Sequence, residues 1–226
     1  MTAVGYAGAR KGYQALIVEK DGAVVTVTLN RPDKSMQTSH GSQTAADGRA
    51  RVVALNQLVM RLVEFPRPVI AMVDGFAVGA GCNLALCCDV IVASDRAKFG
   101  EVFAKIGLVP DGGGSWLLSR LVGLARAKEL IFTAEIIDAA EAARIGLVNR
   151  VVSAAELAAT TRALAERIAQ GPPRALAMAK HMVNRAAATD LAAALDVEAF
   201  SQAIASTGTE HREGLAAFFE KRRPRF

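Results

Sequence analysis

Apolar residues alternate or run together over Leu16 to Glu19 and again over Val24 to Leu29, on either side of Asp21-Gly22. β-Branched residues around an Asp-Gly pair predict an antiparallel hairpin, because that pair takes up the tight turn that matches the twist of two strands. Asn30-Arg31-Pro32-Asp33 then ends the second strand, since proline cannot donate to the ladder. Gln37 to Arg49 is polar and rich in Ser, Thr and Gly, which predicts a loop or mobile segment. From Val52 to Glu64 the apolar positions Val52, Leu55, Val59 and Leu62 share one helical face, and Pro66 and Pro68 stop that helix.

Further on, Val69-Ile70-Ala71-Met72-Val73 is a continuous apolar run bounded by Pro and Asp-Gly, which predicts a strand buried on both faces. Cys82 to Cys88 reads as a helix and Val90 to Ala93 as another strand. The alternation of strand, turn and helix predicts an α/β fold in which successive units stack. After Pro110 the character changes. Ala154 to Phe219 is Ala-rich helical sequence, broken at Gly171-Pro172-Pro173, and it suits an oligomer surface as readily as a lid on the core.

Composition narrows the picture. Of the 226 residues, 52% are hydrophobic, enough for a sizeable core. No stretch approaches the roughly 18 to 20 apolar residues of a membrane span, and Met1 to Gly12 has no apolar region behind a basic start, so a cytoplasmic protein is expected. The 27 Lys and Arg exceed the 22 Asp and Glu, and much of the excess sits in Lys221, Arg222, Arg223 and Arg225. Such a tail suits either a nucleic acid or phosphorylated ligand, or a solvated helix end whose cations complement the helix dipole. Cys82, Cys87 and Cys88 lie in apolar sequence and read as reduced, buried thiols. His40, His181 and His211 stand at no ligand spacing from them, so no metal site is expected.

The segment Pro68 to Leu86 places the glycine-rich turn Gly79-Ala80-Gly81 between a buried strand and a helix start. Helix starts present unpaired N–H groups, so this turn can hold a developing negative charge; close backbone packing accounts equally for the glycines. A dinucleotide fingerprint would want glycine at Leu84, and a nucleotide P-loop a Gly-Lys-Ser/Thr that is absent.

Pro68 to Asp89, followed by Ala97-Lys98-Phe99-Gly100, Gly107-Leu108-Val109-Pro110, Ala127-Lys128-Glu129-Leu130 and Ala139 to Val152, resembles the crotonase (enoyl-CoA hydratase/isomerase) superfamily. Val25 to Asp33 and Arg212-Glu213-Gly214 to Pro224 match as well, so the resemblance covers most of the chain in order. It implies a spiral of repeating ββα units over residues 1–153 and a C-terminal helical trimerisation region over 154–226, assembled as a homotrimer or hexamer. The ligand it implies is an acyl-CoA thioester, with coenzyme A carried as part of the substrate and no separate cofactor. Two backbone N–H groups would hold the thioester oxygen as an enolate forms, with Ala80 as the second donor beside Gly79.

The departures from that pattern are as informative. Hydratases of the family carry glutamates at the positions of Asn83 and Phe103, and neither is present here. Asparagine exchanges no proton near neutrality and phenylalanine holds no nucleophilic water, so ordinary hydration lacks its acid and base. Asp111 remains, in Pro110-Asp111-Gly112, a sequence that taken alone is a turn. The chain is similar to a subgroup that includes the epoxide/oxepin isomerase of phenylacetate degradation, which shares the Gly-Ala-Gly turn, an apolar residue at Phe103 and this Asp. That likeness implies proton removal next to the thioester by Asp111, enolate stabilisation at Ala80 and return of the proton at another carbon, which shifts the double bond. Phe103, Val109 and Trp116 are the apolar neighbours placed to desolvate Asp111. Phe218 and Lys221 match positions that reach the coenzyme, often in a neighbouring subunit.

Family members also have a helix, a strand and a loop supplying the first oxyanion donor ahead of the helix that ends near Glu64. Nothing from Ser35 to Arg51 matches them, so the junction at Lys34 and Ser35 resembles a seam: either the chain is shortened, or, as we favour, the sequence as written leaves out a segment. Three functions remain open: an isomerase using Asp111, a hydratase with a substituted acid arrangement, and a non-catalytic acyl-CoA or RNA-binding relative. Nucleic acid is the less expected partner, and no membrane is expected.

Overall fold

β1 (Leu16–Asp21) and β2 (Val24–Leu29) pair antiparallel, with Leu16 opposite Leu29 and Asp21 opposite Val24. The turn between them holds Gly22 at φ +59°, the left-handed conformation that glycine adopts without steric cost. The computed structural model describes residues 16–29, 44–186 and 188–226. The chain divides into two units, Met1–Gly41, which carries this hairpin, and Ser42–Phe226. Asn30 to Asp33, the Lys34/Ser35 junction and the polar residues 37–43 lie outside the described residues.

The second unit opens with α1 (Ala45–Val63). Its first residues, Ala45 to Arg49, are helical where a loop was expected. The Thr44 side chain accepts a hydrogen bond from the Asp47 N–H, and Asp47 places a carboxylate in the first turn. Both features stabilise a helix start by local bonding that an apolar periodicity does not register. Val59 is buried, with Val52, Leu55 and Leu62 half-buried on the same face, as the spacing predicts. The helix ends at Val63 and is capped by Glu64, ahead of both prolines.

The next two turns of chain build two small sheets in step. β3 (Ile70–Val73) and β4 (Phe76–Val78) are followed by α2 (Ala80–Leu86), then by β5 (Val90–Ser94) and β6 (Lys98–Gly100). β5 lies parallel to β3, and β6 parallel to β4, so each ββα unit stacks on the one before it. Pattern reading placed neither β4 nor β6, and it also missed the two strands that complete the sheets. β7 (Ile137–Asp138) adds antiparallel to β6 and β8 (Arg150–Val152) parallel to β5.

The strand order β3-β5-β8 decides burial. β5 is central: Ile91 and Ala93 enter the main core with Phe99, Leu118 and Leu130, while Val92 points the other way and packs on Leu157 and Leu164. Among the described residues β3, expected to be buried on both faces, is an edge strand with Met72 about half exposed. A lone apolar run does not distinguish the two cases, because the number of neighbours is set by topology.

The helical part comprises α3 (Gly114–Val122), α4 (Leu124–Thr133), α5 (Ala139–Arg144), α6 (Leu157–Ala169), α7 (Pro173–Ala186), α8 (Leu191–Ser206) and α9 (Thr209–Phe219). Leu157 and Leu164 make α6 a cover for β5. α7 is tied back by Lys180, whose ammonium donates to Asp89 at 2.7 Å and to the carbonyls of Leu62 and Arg67. α8 buries no residue and leaves Leu191, Phe200 and Ile204 exposed.

Candidate active site

The chain leaves β4 through Gly79, which sits at φ +55°, and enters α2 at Ala80. The Gly79 N–H donates to the Gly100 carbonyl at 2.8 Å, which anchors the turn to the end of β6. A Cβ at Gly79 would meet the Phe103 ring at 3.6 Å, an ordinary contact. The positive φ, rather than crowding, is therefore what calls for glycine here. No side chain caps α2, and the first N–H groups of a helix have no acceptor within it. Ala80, the first residue of α2, carries one of these N–H groups.

Phe103 lies in a 3₁₀ turn, Val102–Ile106, and is buried with its ring beside Gly79. The structure brings these two predicted residues together, the glycine turn against the aromatic ring.

Asn83 lies one helical turn beyond Ala80 and is fully buried. Its Nδ2 donates to the Asp111 carbonyl at 2.8 Å and lies 3.5 Å from Glu101 Oε2. Because a carbonyl only accepts, the Asp111 bond fixes which end of the Asn83 amide faces the loop. The loop is shaped around this contact: a Cβ at Gly114 would fall 2.5 Å from Asn83 Nδ2 and 2.7 Å from Oδ1, while Gly112 and Gly113 hold φ of +52° and +86°. The Gly114 N–H also donates to the Asp111 carbonyl, at 3.0 Å. Asp111 is accordingly a turn residue in its main chain, with its carboxylate presented by a loop that Asn83 clamps from below.

The Asp111 side chain is half-buried and its Oδ1 has no hydrogen-bond partner. Burial raises its pKa above the usual carboxylate value, against a smaller pull from its own backbone N–H. The apolar residues expected to desolvate it differ in their own burial: Phe103 is buried, whereas Val109 and Trp116 are exposed. Val109 is 78% exposed and supplies little of that burial. Trp116, on α3, is partly exposed and is stacked by the Arg120 guanidinium 3.7 Å from the ring centroid.

One functional candidate was passed over. Glu101 is 2% exposed, in contact with Asn83, and burial pushes its pKa up to about 7, with Asn83 and Cys82 lowering it and the Asp111 charge raising it. The available signal was a single acid set inside the apolar run Phe99-Gly100-Glu101-Val102-Phe103. Cys82 and Cys87 are buried and Cys88 partly so, all three as free thiols. No group of His, Cys, Asp and Glu suited to a metal occurs among the described residues.

Phe218 and Lys221 stand apart from this cluster. Phe218 is exposed and meets Phe219 edge to face, and Lys221 takes a left-handed φ of +53° just past α9. The basic tail is partly spent inside the protein. Arg222 pairs with Glu213 at 2.6 Å and with Glu220, and this pairing holds Glu213 down at about 2. No helix among the described residues is long and apolar enough to cross a membrane.

The chain is thus an α/β protein whose stacked ββα units gather a glycine turn at a helix start, the Phe103 ring beside it and the Asp111 loop held by Asn83, with the Glu101 carboxyl in contact with Asn83. The family profile for Enoyl-CoA hydratase/isomerase matches residues 34–226, and the chain belongs to that family. It is 35% identical over 251 residues to a short-chain-enoyl-CoA hydratase of Clostridium acetobutylicum, covering 92% of this chain and 95% of that protein. It is 42% identical over 171 residues to the 1,2-epoxyphenylacetyl-CoA isomerase of Escherichia coli K12, covering 76% of this chain and 65% of that protein. Among solved structures, an enoyl-CoA hydratase from Bacillus anthracis superposes with a TM-score of 0.88 at 28% identity, over 94% of this chain and 99% of that one. The Clostridium alignment takes in more positions than this chain has residues, so a stretch of that relative has no counterpart here. That agrees with a junction in this chain.

Proposed function

We propose that this acyl-CoA enzyme shifts a double bond in its substrate through a thioester enolate, with Asp111 as the base and the Ala80 N–H as oxyanion donor. The observation that carries this reading is the clamp from α2 onto the Asp111 loop: Asn83 occupies a position where hydratases hold an acid, and spends its amide on the Asp111 carbonyl. A half-buried carboxylate whose pKa burial raises is a stronger base than a solvated one. Phe103 beside Gly79 leaves no group to position a water at the second acid position.

In this reading the acyl chain lies between the Gly79-Ala80 turn and Asp111, against Phe103 and Trp116. Phe218 and Lys221 reach a coenzyme held by a neighbouring subunit of a homotrimer or hexamer. Coenzyme A enters as part of the substrate, the protein works in the cytoplasm, and Ala80 is the one oxyanion donor assigned.

Asp111→Asn tests this directly, because it preserves shape and removes proton acceptance. Isomerisation of a 3-enoyl-CoA ester, and deuterium exchange next to the thioester followed by mass spectrometry, are expected to fall by about 10² to 10⁴, with acyl-CoA affinity nearly intact. A loss below roughly tenfold would reduce Asp111 to a turn residue. Fast hydration of a 2-enoyl-CoA by the unmodified protein would favour the hydratase reading, which the names of several relatives suggest.

A further inference from the structure

Glu101 is the only acidic side chain among the described residues that is almost wholly buried. It follows β6 and precedes the 3₁₀ turn of Phe103, and its carboxyl lies behind Asn83 as seen from the Asp111 loop. Two acceptors are stranded there: Glu101 Oε1 and Asn83 Oδ1 are both buried without a hydrogen-bond partner. The Asn83 amide cannot turn over to relieve them, since its Nδ2 is committed to the Asp111 carbonyl. An ionised Glu101 brings only acceptors to this cluster, whereas the neutral acid brings one O–H donor.

The surroundings favour the neutral form. A cavity of about 10 Å³ beside Glu101 is lined by Cys82, Phe99, Gly100 and Leu118 among others. It is at the lower limit for one water, so a charge here has no hydration shell. The titratable groups that bear on Glu101 are Cys82, from α2, and Asp111; the groups facing it from α3, α4 and β7 are Leu118, Leu130 and Ile137, all uncharged.

We propose that Glu101 is a positioning residue for Asp111: its carboxylic acid holds Asn83, and Asn83 holds the carbonyl of the loop that presents the Asp111 carboxylate. This rests on the reading of Asp111 as the base. Ionisation of Glu101 removes the O–H that could serve the stranded Asn83 Oδ1 and leaves only the long contact from Asn83 Nδ2 to Oε2, at 3.5 Å, to hold the amide, so the proton on Glu101 sets the alkaline limit of activity.

The test compares the parent with Glu101→Gln, which cannot ionise yet keeps a donor, and Glu101→Leu, which keeps neither. Isomerisation of a 3-enoyl-CoA ester is followed from about pH 5.5 to 8.5. Glu101→Leu is expected to lower kcat at least about tenfold with KM within about twofold, and Gln to restore most of that loss. The parent kcat is expected to decline above neutrality while that of the Gln variant does not. Equal pH profiles for parent and Gln, or an unchanged kcat in Leu, would overturn the proposal. Should the Leu variant not fold, the Gln profile alone decides. Asp111→Asn run alongside separates the two readings: an inactive Asn variant with identical parent and Gln profiles sinks the role of Glu101 alone. If Asp111→Asn is active, or no probe is turned over, the protection factor of the Gly114 amide still reports the clamp. That protection should fall through neutrality in the parent and stay level in Gln, and a level parent counts against the proposal.

Discussion

The Asn83 side chain donates to the main-chain carbonyl of Asp111 across 28 residues of sequence, at 2.8 Å. It thereby links the helix behind the oxyanion turn to the loop that carries the carboxylate. A buried bond of this kind contributes about 1 kcal/mol net, and leaving either partner unpaired costs more. Its larger effect is geometric, because it couples the position of Asp111 to that of Ala80.

Gly114→Ala is the sharpest test of that coupling. The new Cβ would fall 2.5 Å from Asn83 Nδ2, and Asn83 is held by the Asp111 carbonyl and has no room to withdraw. The variant is expected to lose about 1 to 3 kcal/mol of stability in urea unfolding, the usual cost of overpacking. A stability change below about 0.5 kcal/mol would mean that the loop adjusts freely and that the clamp is loose.

How much of this was legible depends on the range of the interaction. The hairpin at Asp21-Gly22, the inward face of α1 and the turn at Gly79 all follow from neighbours within a few residues, and all three stand where the pattern placed them. β7 and β8 have two and three residues, too few for a period to declare itself. Whether β3 or β5 lies at the centre of its sheet depends on where β8 returns, some 60 residues later, and no local run encodes that. Asn83 and Phe103 were legible as departures from a family pattern. The contact of Asn83 with Glu101 was not, because the two are 18 residues apart on different elements.

Glu101 also makes a stability prediction with a definite sign. Its folded pKa, about 7, lies above the ordinary value of 4.5, so the folded state binds the proton more tightly. The stabilisation this gives is fully present below about pH 4.5 and is lost as pH rises to 7, amounting to about 3 kcal/mol in order of magnitude. Glu101→Gln should remove this slope and be more stable than the parent above neutrality. Urea unfolding at about pH 5 and pH 8 measures it, and an identical pH dependence in the two proteins would show that Glu101 is not the group responsible.

Asn83→Glu is expected not to create a hydratase. The second acid position is still Phe103, and the new carboxylate would lose the donor to the Asp111 carbonyl while lying against buried Glu101. Like charges in a dry site raise one another's pKa and loosen the packing. The double change with Phe103→Glu supplies both acids and is the variant in which hydration of a 2-enoyl-CoA should first be detectable. The assay is loss of enoyl thioester absorbance, and ordinary enzymatic rates in the unmodified protein would overturn the assignment of these two positions.

Assembly follows from what the C-terminal helices leave uncovered. α7 and α8 bury no residue of their own, and α9 buries Ala217 alone. Leu191, Phe200, Phe218 and Phe219 are each 73% to 76% exposed, on helices whose alanines permit close approach. Fully burying one such side chain contributes about 1.5 to 3 kcal/mol, so four of them supply about 6 to 12 kcal/mol, comparable with the cost of association of about 4 to 15 kcal/mol. A trimer or hexamer is therefore expected by light scattering at micromolar concentration. Phe200→Glu should shift the population toward smaller species, because it adds a charge that an apolar contact would have to desolvate. If the parent is strictly monomeric in that range, these faces are not used for self-association, and a coenzyme site completed by Phe218 and Lys221 of a second subunit is ruled out with them.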